Sequence, residues 1–207
     1  MIKRIIFDLD NTLIMWKNSY TKALEETLKE YKILEDLDYF NSLIDLYDDK
    51  FDHYDKKLLL DFLNSNIKSK IDMSFLETFF NKFGYMSERN EEVIEVLDYL
   101  SKKYELVVLT NWFQAPQRER LKNADILKYF KEVIGGELYM KPSGDAFINA
   151  CGKYKLNECI MIGDDYNKDI LGASNAGLDV IYFNYKNKEN VDNFREINKL
   201  SELERIL

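Results

Sequence analysis

The stretch that decides the fold lies near the N-terminus, at residues 5–12, and reads Ile5-Ile6-Phe7-Asp8-Leu9-Asp10-Asn11-Thr12. Three consecutive apolar residues predict a short strand that is buried on both faces, as in a parallel sheet covered by helices. This strand is followed at once by two aspartates that are one residue apart. We therefore expect the first strand of an α/β domain to carry Asp8 and Asp10 to one edge of a sheet.

Four further runs of the same kind occur in the second half of the chain, at residues 105–109, 133–134, 159–162 and 180–183. Helical spacing of apolar residues separates them, as at Val93, Val96, Leu97 and Leu100. Alternating strands and helices are typical of a Rossmann-like, doubly wound parallel sheet. A polar stretch near residues 184–198 is the one low-complexity segment.

The segment after the first strand has a different texture, because neither glycine nor proline occurs before Gly84. Apolar residues there recur at helical spacing and predict about four helices between residues 18 and 83. The first stripe is Tyr20, Ala23, Leu24, Thr27, Leu28 and Tyr31, and the last is Phe75, Leu76, Phe79, Phe80 and Phe83. We predict an all-helical, four-helix cap at residues 15–87, inserted into a core formed by residues 1–14 and 88–207.

Composition excludes several classes of protein. The 207 residues include 29 basic and 37 acidic ones, and the net charge of −8 argues against nucleic-acid or membrane binding. No apolar run reaches the roughly 18 residues of a membrane span, and Asp8 comes too early for a signal peptide. Two cysteines and one histidine exclude a disulfide framework and a zinc site of several Cys and His ligands. We expect a cytoplasmic protein.

Polar residues follow the predicted strands at the edge where ligands bind in α/β sheets. Lys141 precedes Pro142, which we predict to be the first residue of a helix, so Lys141 is held extended just before it. The other residues at strand ends are Asp8, Asp10, Thr110, Asn111, Asp164 and Asp165, with Asp169 shortly beyond. We expect all of them to converge on one site.

The charges at this edge call for a cation. Five carboxylates face one obvious positive side chain, Lys141, and grouped carboxylates either take up protons or bind a metal. Ligation by oxygen alone selects a hard ion, and Mg²⁺ fits best. Magnesium with open or water-filled coordination positions also binds phosphate groups.

The four motifs together resemble those of the haloacid dehalogenase superfamily. They are Asp8-x-Asp10-x-Thr12, Thr110-Asn111, Lys141-Pro142 and Gly163-Asp164-Asp165-x-x-x-Asp169, and they occur in the family's order. The resemblance covers the whole chain, since many members carry a mobile cap after the first motif. It implies the Rossmann-like fold and a hydrolase, most often a phosphatase.

The resemblance also implies roles for individual residues. Asp8 is expected to attack phosphorus and form an aspartyl-phosphate, while Asp10 protonates the leaving oxygen and later deprotonates water. Thr110 and the Asn111 backbone are expected to hold the phosphoryl oxygens, and Lys141 to neutralise charge between Asp8 and the phosphoryl group. The expected metal ligands are Asp8, the Asp10 carbonyl and Asp164, with Asp169, Thr12 and Asp165 in a supporting shell.

Some positions depart from the family pattern or stay open. Members that cleave carbon–halogen bonds lack the second aspartate of the first motif, so the presence of Asp10 disfavours dehalogenation. Asp165 stands where a small hydroxyl residue is common. Trp112 stands where a small residue is common, and it lines the substrate pocket or packs under the cap. The residues just past the nucleophile contact substrate or pack the hinge; these are Trp16, Lys17 and Tyr20.

The favoured hypothesis is a Mg²⁺-dependent phosphomonoester hydrolase that acts on a small phosphorylated metabolite, as a monomer or a homodimer. One alternative is a sugar-phosphate mutase, which uses the same aspartyl-phosphate but returns the phosphoryl group to a substrate. Another is a non-catalytic, receiver-like or metal-binding module. Receiver domains also combine aspartates, a threonine and a lysine, but they are much shorter and lack a helical insertion after the phosphorylated aspartate.

Overall fold

The computed structural model describes residues 1–188 and 194–207, apart from the side chains of Lys17 and Asn18. Its centre is a sheet in which all pairings are parallel and the strand order is β3-β2-β1-β4-β5-β6. The strands are β1 (Arg4–Phe7), β2 (Glu105–Leu109), β3 (Phe130–Ile134), β4 (Cys159–Gly163), β5 (Asp179–Phe183) and β6 (Glu196–Ile197). This is a doubly wound order, so the predicted α/β class is confirmed.

Helices cover both faces of the sheet, because successive strand residues point to opposite sides. Ile5 and Phe7 pack on one side against α5 (Glu91–Ser101), α6 (Gln114–Asn123) and α9 (Leu203–Ile206). Ile6 packs on the other side against α7 (Gly144–Cys151) and α8 (Gly172–Asn175). Both cysteines are buried and unpaired in this second cluster.

Four helices lie between β1 and α5. They are α1 (Lys17–Glu30), α2 (Leu37–Lys50), α3 (Lys56–Asn66) and α4 (Met73–Tyr85), and we call them the helical unit. Aspartates mark three of the starts, since the side chains of Asp36, Asp55 and Asp72 accept hydrogen bonds from first-turn N–H groups of α2, α3 and α4. These helices span the stretch in which the apolar spacing predicts helices.

The helical unit rests on loops of the sheet. Its buried cluster, which we call the aromatic cluster, includes Trp112 and Phe113 from the loop after β2. The N–H of Tyr54 donates to the carbonyl of Gly136 at 2.8 Å. Helix α4 lies against α6 at Gly84, where an added Cβ would come within 3.0 Å of the Glu119 Cβ. A glycine at that position therefore permits the close approach of the two helices.

The structure differs from the sequence-based expectation in two places. Pro142 is not helical; it lies in a turn, and α7 begins at Gly144 because the backbone of Ser143 is still non-helical, with ψ of 132°. Strand β6 lies in the polar stretch near residues 184–198 and is additional to the five strands predicted from the sequence, because two residues are too few to show periodicity. Ile197 is nevertheless fully buried beside β5. Within the described residues, no helix is long and apolar enough to span a bilayer.

Candidate active site

The ends of β1, β2 and β4 lie level with one another in the sheet. The Asp8 N–H donates to the carbonyl of Ile162 at 2.9 Å, and the Thr110 N–H donates to the carbonyl of Ile134 at 3.0 Å. The ladder therefore holds the backbone at the first residue past each of these two strands. Parallel strands bring their carboxyl ends to one edge, and the candidate site forms there.

A cleft of about 440 Å³ opens at this edge. Eight of the nine site residues expected from the sequence line it: Asp8, Asp10, Thr110, Asn111, Lys141, Asp164, Asp165 and Asp169. The ninth, Thr12, is buried and lines a different cavity, and its Oγ1 has no hydrogen-bond partner among the described residues. The expected convergence of the four motifs therefore holds, except that Thr12 lies off the cleft.

Lys141 occupies the centre of the site. Its Nζ donates to Oδ1 of Asp8 and to Oδ1 of Asp169, each at 2.6 Å. The side chain of Asn111 brackets the Lys141 backbone, since its Nδ2 donates to the Lys141 carbonyl at 2.8 Å and its Oδ1 accepts from the Lys141 N–H at 2.7 Å. This clamp fixes the backbone from which the ammonium group reaches the two aspartates.

The carboxylates of Asp8, Asp164 and Asp169 have raised pKa values, because the positive charge near them is too small to offset their burial and mutual repulsion. Burial raises the pKa of Asp8 well above its usual range, opposed by Lys141 and reinforced by Asp169. Burial also raises the pKa of Asp169, and it raises the pKa of Asp164 to about 7, with repulsion from Asp169 adding to the effect. Burial alone would lower the pKa of Lys141, but Asp169 and Asp8 together raise it, so the ammonium stays charged.

Three carboxylates form a candidate cation site. Asp8, Asp164 and Asp169 each offer an oxygen, and these oxygens lie within 4.8 Å of one another. Oδ2 of Asp8 is buried and has no hydrogen-bond partner among the described residues. Carboxylate oxygens without imidazole or thiolate fit a hard divalent ion such as Mg²⁺. Asp169 is a member of this candidate cluster, and the expectation that it acts in a supporting shell stays a prediction.

Local backbone structure delivers Asp169 to this cluster. Asp165 caps a π-helical turn at Tyr166–Leu171, where its Oδ1 accepts from the N–H groups of Asn167 and Lys168 at 2.9 and 2.8 Å. Oδ2 of Asp169 accepts from the Asp165 N–H at 3.1 Å. An added Cβ on Gly163 would lie 2.3 Å from that same oxygen. The glycine of the fourth motif therefore leaves the space that the Asp169 carboxylate fills.

Asp10 is held by two residues that the sequence analysis missed. Its Oδ1 accepts from Nη1 of Arg120, and its Oδ2 accepts from Nε2 of Gln117 at 2.7 Å. Arg120 is fully buried, so Lys141 is not the sole cation near the carboxylates. The available signal was the spacing of Gln117 and Arg120, one turn apart on the helix that follows Thr110.

The helical unit forms the opposite wall of the cleft. Trp112 lines the cleft and also packs in the aromatic cluster, so both uses left open for it occur together. Tyr20 does the same, and Trp16 stacks edge-on against it at 4.9 Å. Asp48 of α2 lies 3.5 Å from Nζ of Lys168 across the cleft. The expectation for Lys17 concerns a side chain outside the described part of the structure.

The family model of the haloacid dehalogenase-like hydrolases matches residues 5–183. The chain belongs to the haloacid dehalogenase-like hydrolases. This assignment confirms the resemblance seen in the four motifs and makes the protein an enzyme of the hydrolase class.

Curated relatives of this family member are phosphatases. Pyrimidine 5'-nucleotidase PynA of Streptococcus pneumoniae is 27% identical over 212 residues, which cover 91% of this chain and 86% of that one. Glyceraldehyde 3-phosphate phosphatase of Methanothermobacter thermautotrophicus is 27% identical over 195 residues, covering 89% and 86%. The magnesium-bound HAD-hydrolase YfnB of Bacillus subtilis shares the fold, with a TM-score of 0.75 at 20% identity over 100% of this chain and 98% of that one.

Proposed function

We propose that this family member is a Mg²⁺-dependent phosphomonoester hydrolase that acts on a small phosphorylated metabolite through an aspartyl-phosphate. The observation that carries the proposal is the environment of the two Asp8 carboxylate oxygens. Oδ1 accepts a hydrogen bond from Lys141, and Oδ2 is buried in the cleft without a hydrogen-bond partner among the described residues. The phosphatase names of the curated relatives support the same reaction class.

In this mechanism one carboxylate oxygen of Asp8 attacks phosphorus, and the bond from phosphorus to the leaving oxygen breaks. Lys141 offsets the negative charge that Asp8 and the phosphoryl oxygens share. Thr110 and the Asn111 backbone hold the phosphoryl oxygens. Because Lys141 is fixed by the Asn111 clamp, its charge requires little reorganisation when the group transfers.

Asp10 moves the protons. It gives a proton to the leaving oxygen in the first step and takes one from water in the second, when that water attacks the aspartyl-phosphate and frees Asp8. The Asp10 side chain is 28% exposed, so it is open to a substrate in the cleft. Its presence also supports phosphate transfer over dehalogenation.

The donor set of the site fits Mg²⁺, which would be held by the carboxylates of Asp8, Asp164 and Asp169 and by the Asp10 carbonyl. When bound, the ion supplies positive charge that offsets the repulsion among these groups and the charge of a phosphate. The raised pKa of Asp164, caused by burial and by repulsion from Asp169, also indicates that these carboxylates need a further cation.

We further propose that residues 15–87 act as a cap over a core of residues 1–14 and 88–207. The helical unit lines one wall of the cleft, while the sheet edge carries the carboxylates. Closure of such a cap excludes water and selects small substrates. The crystal structure of YfnB reveals interdomain movement in that protein.

The test is hydrolysis of 4-nitrophenyl phosphate by wild type and Asp8→Asn, with and without Mg²⁺. We expect Mg²⁺-dependent turnover that falls by on the order of 10⁴-fold or more in the variant. Asp179→Asn is the matched control, because Asp179 is exposed at the start of β5, away from the cleft. Turnover by Asp8→Asn equal to that of wild type would refute the nucleophile. In a separate assay, conversion of a supplied sugar phosphate to its isomer without phosphate release would favour the mutase.

A further inference from the structure

We propose that Gln117 and Arg120 are positioning residues that hold Asp10 in place for proton transfer. This inference rests on the proposed function, in which Asp10 protonates the leaving oxygen. It assigns a role to two residues on α6 that lie outside all four motifs, and it explains why a helix packed beside the sheet carries a buried Gln and a buried Arg.

Both oxygens of Asp10 are occupied. Arg120 Nη1 donates to Oδ1, and Gln117 Nε2 donates to Oδ2 at 2.7 Å. Rotating the carboxylate about its Cβ–Cγ bond would break both contacts at once. Without these partners, a side chain on a loop with 28% exposure would be free to sample other rotamers. The two donors therefore restrict Asp10 to one orientation at the rim of the cleft.

Gln117 is itself fixed in orientation. Its Nε2 also donates to Thr110 Oγ1 at 2.8 Å, and its Oε1 accepts from Arg120 Nη1 at 2.7 Å. A flipped amide would place its oxygen against the Asp10 carboxylate and its N–H groups against the guanidinium. The bonds therefore define a single amide orientation. Gln117 also links the acid–base residue to Thr110, which we expect to hold the phosphoryl group.

Burial of Arg120 lowers the stability of the folded protein. The residue is fully buried, and its Nε and Nη2 have no hydrogen-bond partner among the described residues. Unpaired buried donors on a charged group destabilise a protein. An apolar side chain of similar length would fill the space without that cost, but it would leave the Asp10 carboxylate without its cation. The arginine therefore serves Asp10.

The guanidinium also contacts the helical unit. Its central carbon lies 4.2 Å from the centre of the Phe83 ring, on α4. Asn123, at the end of α6, donates to the carbonyl of Gly84 at 2.9 Å, so α4 and α6 are joined beside this contact. Arg120 is thus wedged between Asp10 and the proposed cap, which limits its own movement as well.

The experiment uses the dependence of rate on the leaving group. A misplaced acid matters most when the leaving oxygen is strongly basic and needs a proton, and least when it departs readily as an anion. The variants are Arg120→Met, Arg120→Lys, Gln117→Leu and Asp10→Asn. The substrates are phenyl phosphate, which has a poor leaving group, and 2,4-dinitrophenyl phosphate, which has a good one.

We expect kcat on phenyl phosphate to fall at least about tenfold more than kcat on the dinitrophenyl ester in Arg120→Met and Gln117→Leu. Asp10→Asn should show the same pattern with a larger ratio, and Arg120→Lys should recover part of the loss. Arg118→Met removes the same charge from an exposed position on α6 and should leave both rates unchanged. Circular dichroism checks that each variant is folded.

Equal losses of kcat on both substrates in the folded Arg120→Met and Gln117→Leu variants would overturn the positioning role. If Asp10→Asn still lost more activity on phenyl phosphate than on the dinitrophenyl ester, the proposed function would stand. An Asp10→Asn variant with no leaving-group preference would refute the acid role of Asp10, and the inference would fall with it. Neither result bears on the nucleophile, which the Asp8→Asn variant tests separately.

Discussion

The two larger buried clusters of this protein are built from different side chains. Among the described residues, the cluster beside the sheet has 22 buried members, of which 2 are aromatic, namely Phe7 and Phe183. The aromatic cluster of the helical unit also has 22 buried members in the described part of the chain, and 11 of them are aromatic. Aliphatic and β-branched residues suit strands that pack on both faces. Aromatic rings instead fill the wide and irregular spaces between helices, mostly with edge-to-face contacts such as Tyr20 against Phe79.

This difference in composition matches a difference in how the two walls of the cleft are held in place. Ladder hydrogen bonds fix the strand ends that carry Asp8 and Thr110. The helices of the opposite wall are held against one another by side chains, through apolar packing and through contacts such as the ion pair of Lys82 with Glu30 at 2.8 Å. The first arrangement suits residues that must be placed within tenths of an ångström, and the second suits a surface that moves. Trp112 and Phe113 join the two, since they follow β2 but belong to the aromatic cluster.

The largest effect on activity should come from a substitution at the edge of the sheet. In Lys141→Met we expect kcat/KM on 4-nitrophenyl phosphate to fall by on the order of 10³-fold, because Asp8 and Asp169 lose the cation between them. Stability should fall much less, because carboxylates with raised pKa values can take up protons. Steady-state kinetics and urea unfolding measure the two effects. The exposed Lys153→Met is the control, and retention of more than a tenth of the activity would contradict the central role of Lys141.

The second change tests whether the two regions unfold separately. Phe79 is 1% exposed and contacts Tyr20, Phe80, Phe83 and Trp112. Phe79→Ala should cost about 3–5 kcal/mol in free energy of unfolding. Both tryptophans, Trp16 and Trp112, contact the aromatic cluster, so we expect the fluorescence midpoint in urea to fall below the midpoint from circular dichroism.

The matching variant in the other region is Leu97→Ala, a fully buried position on α5 beside the sheet. There we expect a loss of about 2–5 kcal/mol with both midpoints falling together. If fluorescence and circular dichroism also moved together in Phe79→Ala, the helical unit and the sheet would form one cooperative unit, and the contrast between them would be one of composition only.

The smallest effect concerns the ion pair across the cleft. Burial raises the pKa of Asp48, against the opposing effects of Tyr54 and Lys168. A carboxyl whose pKa is higher in the folded state destabilises the protein when ionised, and stability grows as the pH falls through that pKa. Asp48→Asn should therefore be slightly more stable than wild type at pH 7.

At about pH 4 the stability difference between Asp48→Asn and wild type should shrink, because Asp48 takes up a proton in the wild type. Urea unfolding at the two pH values measures it. Asp49→Asn, at an exposed neighbouring position of α2, is the control and should show no such change. A variant less stable than wild type at pH 7 would mean that the ion pair with Lys168 outweighs the burial of Asp48.

The sequence correctly predicted that residues directly after strands converge on one cleft. Asp8, Thr110 and Asp164 follow apolar runs directly, so the strand pattern and the rule for ligand sites in α/β sheets place them together. Asp169 does not follow a strand directly. Its approach depends on the π-helical turn and on the missing Cβ of Gly163, and neither is visible in a hydrophobic pattern.

Arg120 and Gln117 show the limit of the pattern. In sequence they are polar residues in a short, polar helix, and such residues normally face water. Their burial follows from the packing of α6 between the sheet and α4, which is set by contacts far away in the chain. Periodicity describes which residues share a face of a helix, but not what that face meets.

By itself, the sequence determined the α/β class, the place of the helical segment and the set of carboxylates around Lys141, because these depend on local apolar spacing and on residue types at strand ends. Only the tertiary structure decided which oxygens lack partners among the described residues, which carboxylates form the candidate cation site and what holds Asp10. These features depend on distances between segments separated by a hundred residues or more, such as Asp10 and Arg120. Such distances are set by packing of the whole chain and not by any local pattern.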